Sequence, residues 1–468
     1  MVGDGKKTAF VLAGGGTKGA FEAGAVSFLV EEHAVVPDVI TAASAGSLAG
    51  GVLAQARTLE EFQRCSRQLR QDLLALTHTD VLFGRQAWVQ ALDGTPAGKA
   101  IDEYITVRTR PPVPGDDGPG MVGVVPPAPS RGQRLLDLAA DLAKVVPALP
   151  RARRRFRSGR GSMLTLDPLA RALRHGGPNG IEPVDPALIA RPGLELRLAV
   201  TALRSGRVRY VTEDGTIVES DAVTPVAGEG AGPIDVIEGM LASASVPMIF
   251  PPRALADDVY VDGGVVQNIP VEAAVRLGAE RIIAVVAVPL SPQPDRRDFA
   301  SMDMVGIFLR AVGDVAFIDR QLTNLRYPLP DGASLTVIDP IVDVVGPFEV
   351  SPGLMLIDMD YGWLRAADVL AEVDLALRRE AEELTDAIVT ARTRAWHREE
   401  TLWKSGWASG GDLATLGALK REVRDACLAR QKLGLPSPFD AEPWWSGFEL
   451  HVGARPNGLP PVLAPDEL

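Results

Sequence analysis

Val39-Ile40-Thr41-Ala42-Ala43-Ser44-Ala45-Gly46 is the stretch around which the chain is organised. An apolar, β-branched run gives way to very small residues. A small-residue helical run, Ser47-Leu48-Ala49-Gly50-Gly51-Val52-Leu53-Ala54, follows directly. Strand, tight turn with a serine, helix is the layout of a nucleophile elbow, which presents a hydroxyl on a sharp turn at a strand end. Residues flanking such a turn must be tiny, because the strand and helix backbones come close together. The usual order is Gly-x-Ser-x-Gly. Ala42 stands in the first glycine position, one methyl larger, and Gly46 in the second. Taken alone, the same residues also read as an Ala/Ser/Gly-rich helix start with Ser44 as a plain N-cap.

Upstream, Thr8-Ala9-Phe10-Val11-Leu12 is apolar throughout and predicts a central strand covered on both faces. It runs into Gly14-Gly15-Gly16-Thr17-Lys18-Gly19, then a helix from about 20 to 33, with Pro37 before the second strand. The whole predicts a right-handed βαβ unit that opens a parallel sheet. Gly14-x-Gly16-x-x-Gly19 also fits a dinucleotide fingerprint, which needs a carboxylate at the end of the second strand. That strand ends Thr41-Ala42-Ala43-Ser44, with no carboxylate. The other use of such a loop is an oxyanion hole. Backbone N–H groups at a helix start are unbonded and point outward, and Gly15 and Gly16 would face the charge that develops when Ser44 attacks a carbonyl.

A serine needs a base. The chain has five histidines, His33, His78, His175, His397 and His451, none in a strand-end loop with glycine-type turn residues. Asp262 is better placed: it follows the short strand Val259-Tyr260-Val261 and precedes Gly263 and Gly264. Its plain alternative is a turn residue in an Asp-Gly turn.

The three pieces together resemble the patatin-like phospholipase family: a glycine loop, a serine elbow shortly after it, and a distant Asp-Gly-Gly. Ser243-Ala244-Ser245-Val246-Pro247-Met248-Ile249-Phe250-Pro251 is similar to that family's Ala-Ser-x-x-Pro-x-x-Phe-Pro segment. Asp262-Gly263-Gly264-x-x-x-Asn268-x-Pro270 is similar to its aspartate loop. The likeness covers about 8–290 apart from an insertion at 108–160, weakens to about 362, and does not reach the tail from about 400. It implies a three-layer, mostly parallel α/β sheet flanked by helices. It also implies a Ser44–Asp262 dyad without histidine, an oxyanion hole from Gly14, Gly15, Gly16 and Gly19 with Lys18 beside it, and a lipid acyl-ester substrate. No cofactor or metal is required. The rival expectations are an acyl-lipid-binding module of weak or no activity, and a hydrolase of small soluble esters or thioesters.

Composition is that of an ordinary soluble globular protein: 468 residues, 46% hydrophobic and 23% charged. A formal net charge of −12 argues against nucleic acid as a partner. Cys65 and Cys427 are far apart and read as buried thiols of a reducing compartment. No apolar segment approaches the roughly 20 residues of a membrane span, so the expectation is cytoplasmic, with any membrane contact peripheral. That contact would fall in 131–160, where leucines and valines at near-helical spacing precede Arg151, Arg153, Arg154, Arg155, Arg157 and Arg160. The same run also reads as a solvated insertion. The expected division is a catalytic domain over 1–362 and a helical, Trp-containing extension over 363–468. The pattern turns helical and highly charged from Tyr361 to about Thr401.

Overall fold

The computed structural model describes residues 5–90, 162–227, 232–256, 258–291, 315–404 and 410–436, with isolated positions at 307, 310 and 311. The insertion at 108–160 and the tryptophans at 407, 444 and 445 lie outside these residues.

Its centre is a nine-stranded sheet. Five parallel strands run in the order β11 (Ser334–Ile338), β10 (Arg281–Val285), β1 (Thr8–Leu12), β2 (Val39–Ala43) and β5 (Glu195–Ala202). Antiparallel β6 (Arg207–Thr212) and β7 (Ile217–Val218) follow on the far edge. A short pair, β3 (Gly84–Arg85) and β4 (Leu164–Thr165), stands apart. β8 (Arg253–Leu255) and β9 (Asp258–Asp262) form a hairpin attached to β5 through β9.

β1 and β2 are buried at every position, as apolar runs without alternation predict. Successive side chains feed opposite faces. Phe10, Leu12, Ile40 and Ala42 join one core with α1 (Gly19–Ser27), α2 (Ala45–Leu53) and α3 (Leu59–Leu74). The same core holds residues of α4 (Asp167–His175) and α5 (Val236–Ser243). Ala9, Val11, Ile282 and Ala284 join a second core with α6 (Val271–Arg276), against which Leu325 of α7 (Ala316–Leu325) packs. Helices on both faces make the three-layer, mostly parallel α/β arrangement expected from the sequence.

The C-terminal helices add to the first layer. α8 runs unbroken from Pro352 to Leu370, across the expected boundary at 362/363. It crosses α1 so closely that a Cβ at Gly24 or Gly362 would strike the facing backbone. Phe21 meets Tyr361 edge-on at 5.4 Å. α9 (Leu375–Lys404) docks on α8 with the buried pair Arg392–Asp360 at 2.8 Å, and α10 (Gly410–Lys432) brings Arg430 to Asp368 at 2.6 Å. Removing one partner of such a buried pair would strand a charge. Trp396 is buried among these helices, and both cysteines are free thiols. Among the described residues, no helix is long and apolar enough to cross a membrane.

Candidate active site

β5 is the template that brings Ser44 and Asp262 together. β6 occupies one edge of β5 over 197–202. On the other edge β2 pairs with residues 195–199 and then stops, and antiparallel β9 takes over at 200–202. Ala43 is opposite Ala199, and Asp262 is opposite the next residue, Val200. The two strands therefore end facing each other, one handing over to Ser44 and the other to Asp262.

Ser44 has φ 52° and ψ −127°, a positive-φ turn that costs a non-glycine residue about 1–3 kcal/mol. The surroundings hold it there. Its N–H donates to Ser243 Oγ at 3.0 Å, and that hydroxyl donates to the Ala199 carbonyl at 2.6 Å. Its carbonyl accepts from the Ser47 N–H and hydroxyl. Gly46 has no room for a side chain: a Cβ would lie 2.5 Å from the carbonyl oxygens of Leu12 and Ala13. The methyl of Ala42 faces bare Gly50 of α2, where an added Cβ would stand 3.2 Å away. The missing glycine of the elbow is thus matched by a glycine opposite.

Asp262 is 4% exposed. Its Oδ1 accepts from the Gly264 N–H at 2.7 Å, and its backbone is fixed by Thr201 and Ser245. Oδ2 is buried with no partner in hydrogen-bond geometry among the described residues. Burial pushes the carboxyl up to about 7, against the Ser44 hydroxyl and the Gly264 N–H, which both favour the charged form. The serine is therefore near enough to act on the acid, while the direct bond is not closed. Loose contacts of this kind are common in unliganded sites. A carboxyl poised near neutrality can take and return a proton.

The glycine loop follows β1. Gly14 N–H donates to Asn268 Oδ1, Thr17 N–H to the Pro347 carbonyl, and Gly19 N–H to the carbonyls of Gly16 and Thr17. Gly15 and Gly16 keep N–H groups with no acceptor among the described residues. The Lys18 ammonium is paired with Asp343 at 2.5 Å. Gly263 and Gly264 let the aspartate loop pass close to Ala199 and Asn268.

A pocket of about 720 Å³, counted out to its open mouth, begins at Ser44 and Gly16. Its walls are almost wholly apolar, with Leu69, Leu73, Phe83, Leu169, Phe250 and Phe348 among them. No group of three or more His, Cys, Asp or Glu among the described residues is arranged to hold a metal ion.

Four contributors were not assigned roles from sequence. Ser243 and Asn268 stand inside quoted motifs, yet nothing local states what they bond. Asp343 and Pro347 are more than 300 residues from the loop they hold, and no spacing rule reaches that far.

The structure of VipD from Legionella pneumophila is similar over 92% of this chain and 85% of its own, at 14% identity and a TM-score of 0.31. No curated protein matches. The family model for patatin-like phospholipase matches residues 10–275, more than half of the chain, and the chain belongs to that family.

Proposed function

We propose that this protein is a serine lipid acyl hydrolase, a phospholipase A- or lysophospholipase-like esterase working through Ser44 and Asp262. The observation that carries the reading is the head-on meeting of β2 and β9 on β5. It brings a strained serine toward a buried carboxylate oxygen that has no hydrogen-bond partner among the described residues.

In this mechanism Asp262 Oδ2 accepts the Ser44 proton as Oγ attacks the ester carbonyl. The N–H groups of Gly15 and Gly16 receive the oxyanion. Asp262 then returns the proton to the leaving alcohol as the acyl–oxygen bond breaks, which leaves the acyl chain on Ser44. Water, deprotonated by the same carboxylate, attacks the acyl-enzyme, and the proton passes back to Ser44 as the fatty acid leaves. Gly14 and Lys18 anchor the loop through Asn268 and Asp343, and Gly19 opens the helix behind it. The apolar pocket favours an acyl chain over a small polar ester.

The test is fatty-acid release from lysophosphatidylcholine and phosphatidylcholine vesicles. Wild type should release acid, and Ser44→Ala and Asp262→Asn, folded by circular dichroism, should not. Vesicle binding by wild type without release would point instead to an acyl-lipid-binding module. Turnover of short soluble esters or thioesters alone would point to a small-ester hydrolase. Repeating the assay without 131–160 asks whether that stretch contributes contact with the lipid surface.

A further inference from the structure

Residues 343–348 form a strap that touches both the glycine loop and the pocket. On the loop side, Asp343 holds Lys18 at 2.5 Å, Gly346 accepts from the Thr17 hydroxyl, and Pro347 accepts from the Thr17 N–H at 3.0 Å. Gly16, at φ 64°, lies so close that a Cβ would collide with the Pro347 carbonyl oxygen. On the pocket side the very next residue, Phe348, lines the apolar wall. Its ring stands 6.2 Å from Phe83 and 6.3 Å from Phe250, which are 5.3 Å from each other. The strap lies beyond the residues matched by the family model.

We propose that Phe348 is a specificity-determining residue that ties acyl-chain length to the glycine loop. The inference rests on the acyl-hydrolase reading. A chain long enough to pack on the Phe348 ring holds the strap. Through Pro347, Thr17 and Gly16, the strap then holds the loop in the geometry that receives the oxyanion. Binding energy gained far from the ester is thereby expressed at the reacting carbonyl, so chain length acts on kcat and not only on KM. Leu73 lines the same pocket from α3, which shares no hydrogen bond with the glycine loop among the described residues. Its contribution is to binding.

The experiment measures kcat and KM for p-nitrophenyl esters from acetate to palmitate, with wild type, Phe348→Ala, Phe348→Leu and Leu73→Ala. Phe348→Ala should lower the palmitate-to-acetate ratio of kcat about tenfold, and Phe348→Leu, which keeps apolar contact, should recover most of it. Leu73→Ala should lower the same preference through KM. Equal losses of kcat for acetate and palmitate, or a loss confined to KM, would overturn the proposal. If Phe348→Ala does not fold, the leucine variant decides by the same ratio, with a smaller drop expected. Wild type that hydrolyses none of the series would overturn the acyl-hydrolase reading, and this proposal with it.

Discussion

The side-chain amide of Asn268 and the peptide of Gly14 are bonded in both directions. Gly14 N–H donates to Oδ1 at 3.2 Å, and Nδ2 donates to the Gly14 carbonyl at 3.1 Å. Nδ2 also donates to Gln321 Oε1 at 3.1 Å, and Asn324 Oδ1 accepts the backbone N–H groups of Asn268 and Ile269. One residue of the aspartate loop thus fixes the orientation of the glycine loop, and α7 fixes that residue. Loss of a single oxyanion donor costs other enzymes about 100- to 1,000-fold in kcat. Asn268→Ala should fall toward that range on a soluble ester, with KM moving much less. Gln321→Met should lose more kcat than Gln321→Glu, which keeps an acceptor for Asn268. Steady-state kinetics on the three variants, with melting curves as folding controls, makes the check.

In the proposed mechanism Asp262 sets the pH response. Burial raises its carboxyl to about 7, so the base is competent only as pH climbs through that value. Esterase kcat/KM should rise along a single ionisation near pH 7 and level off above it. Stability runs the other way. A carboxyl whose folded pKa is raised gives its full stability below its ordinary value of 3.8, and that stability is lost as pH rises through 7. Asp262→Asn removes this loss along with turnover. Its melting temperature should gain on wild type as pH rises from about 4 to 7, and the gain should hold level above about pH 8.

Ala42 and Gly50 share one space. A Cβ at Gly50 would sit 3.2 Å from the Ala42 methyl and 3.2 Å from Ile40 Cγ2. Gly50→Ala should destabilise the fold by about 1–3 kcal/mol, the usual range for an overpacked core. Adding Ala42→Gly should return part of that loss, and the coupling is read by chemical denaturation of the double-mutant cycle.

Glu22 of α1 is fully buried with neither carboxyl oxygen in good hydrogen-bond geometry among the described residues; the Ala13 backbone favours its charged form only weakly against burial, and Asp358 of α8 is a buried acid that acts against it. Burial drives the Glu22 carboxyl well above its ordinary 4.5, and Asp358 adds to the rise. Stability from this group is full below 4.5 and drains as pH rises through the raised value. Glu22→Gln should raise the melting temperature more at pH 8.5 than at pH 5.5, at about 1 °C for each kcal/mol recovered in a chain of this length. Equal gains at both pH values would contradict it.

Much of the fold was legible because its signals are local. The unbroken apolar runs at 8–12 and 39–43 are the central strands, and the small residues around Ser44 do form a sharp turn. The run from Arg281 stops as a strand at Val285, and Leu164 opens a short strand, with its helix starting at Asp167. Residues 352–360 of α8 carry no helical signal in the sequence. The helix is buried on almost every side, so no amphipathic period marks it, and its Pro-Gly start reads as loop. What sequence could not supply was distance information. That β2 and β9 share an edge of β5, and that 343–348 cross the glycine loop, depends on contacts between residues far apart along the chain.

The most direct test of the account is intact-protein mass after exposure to a fluorophosphonate probe, with wild type beside Ser44→Ala and Asp262→Asn. The account predicts one adduct on wild type, mapped by peptide digestion to Ser44. It predicts none on Ser44→Ala and strongly slowed labelling on Asp262→Asn. An adduct that persists on Ser44→Ala, or labelling of Asp262→Asn at the wild-type rate, would contradict it.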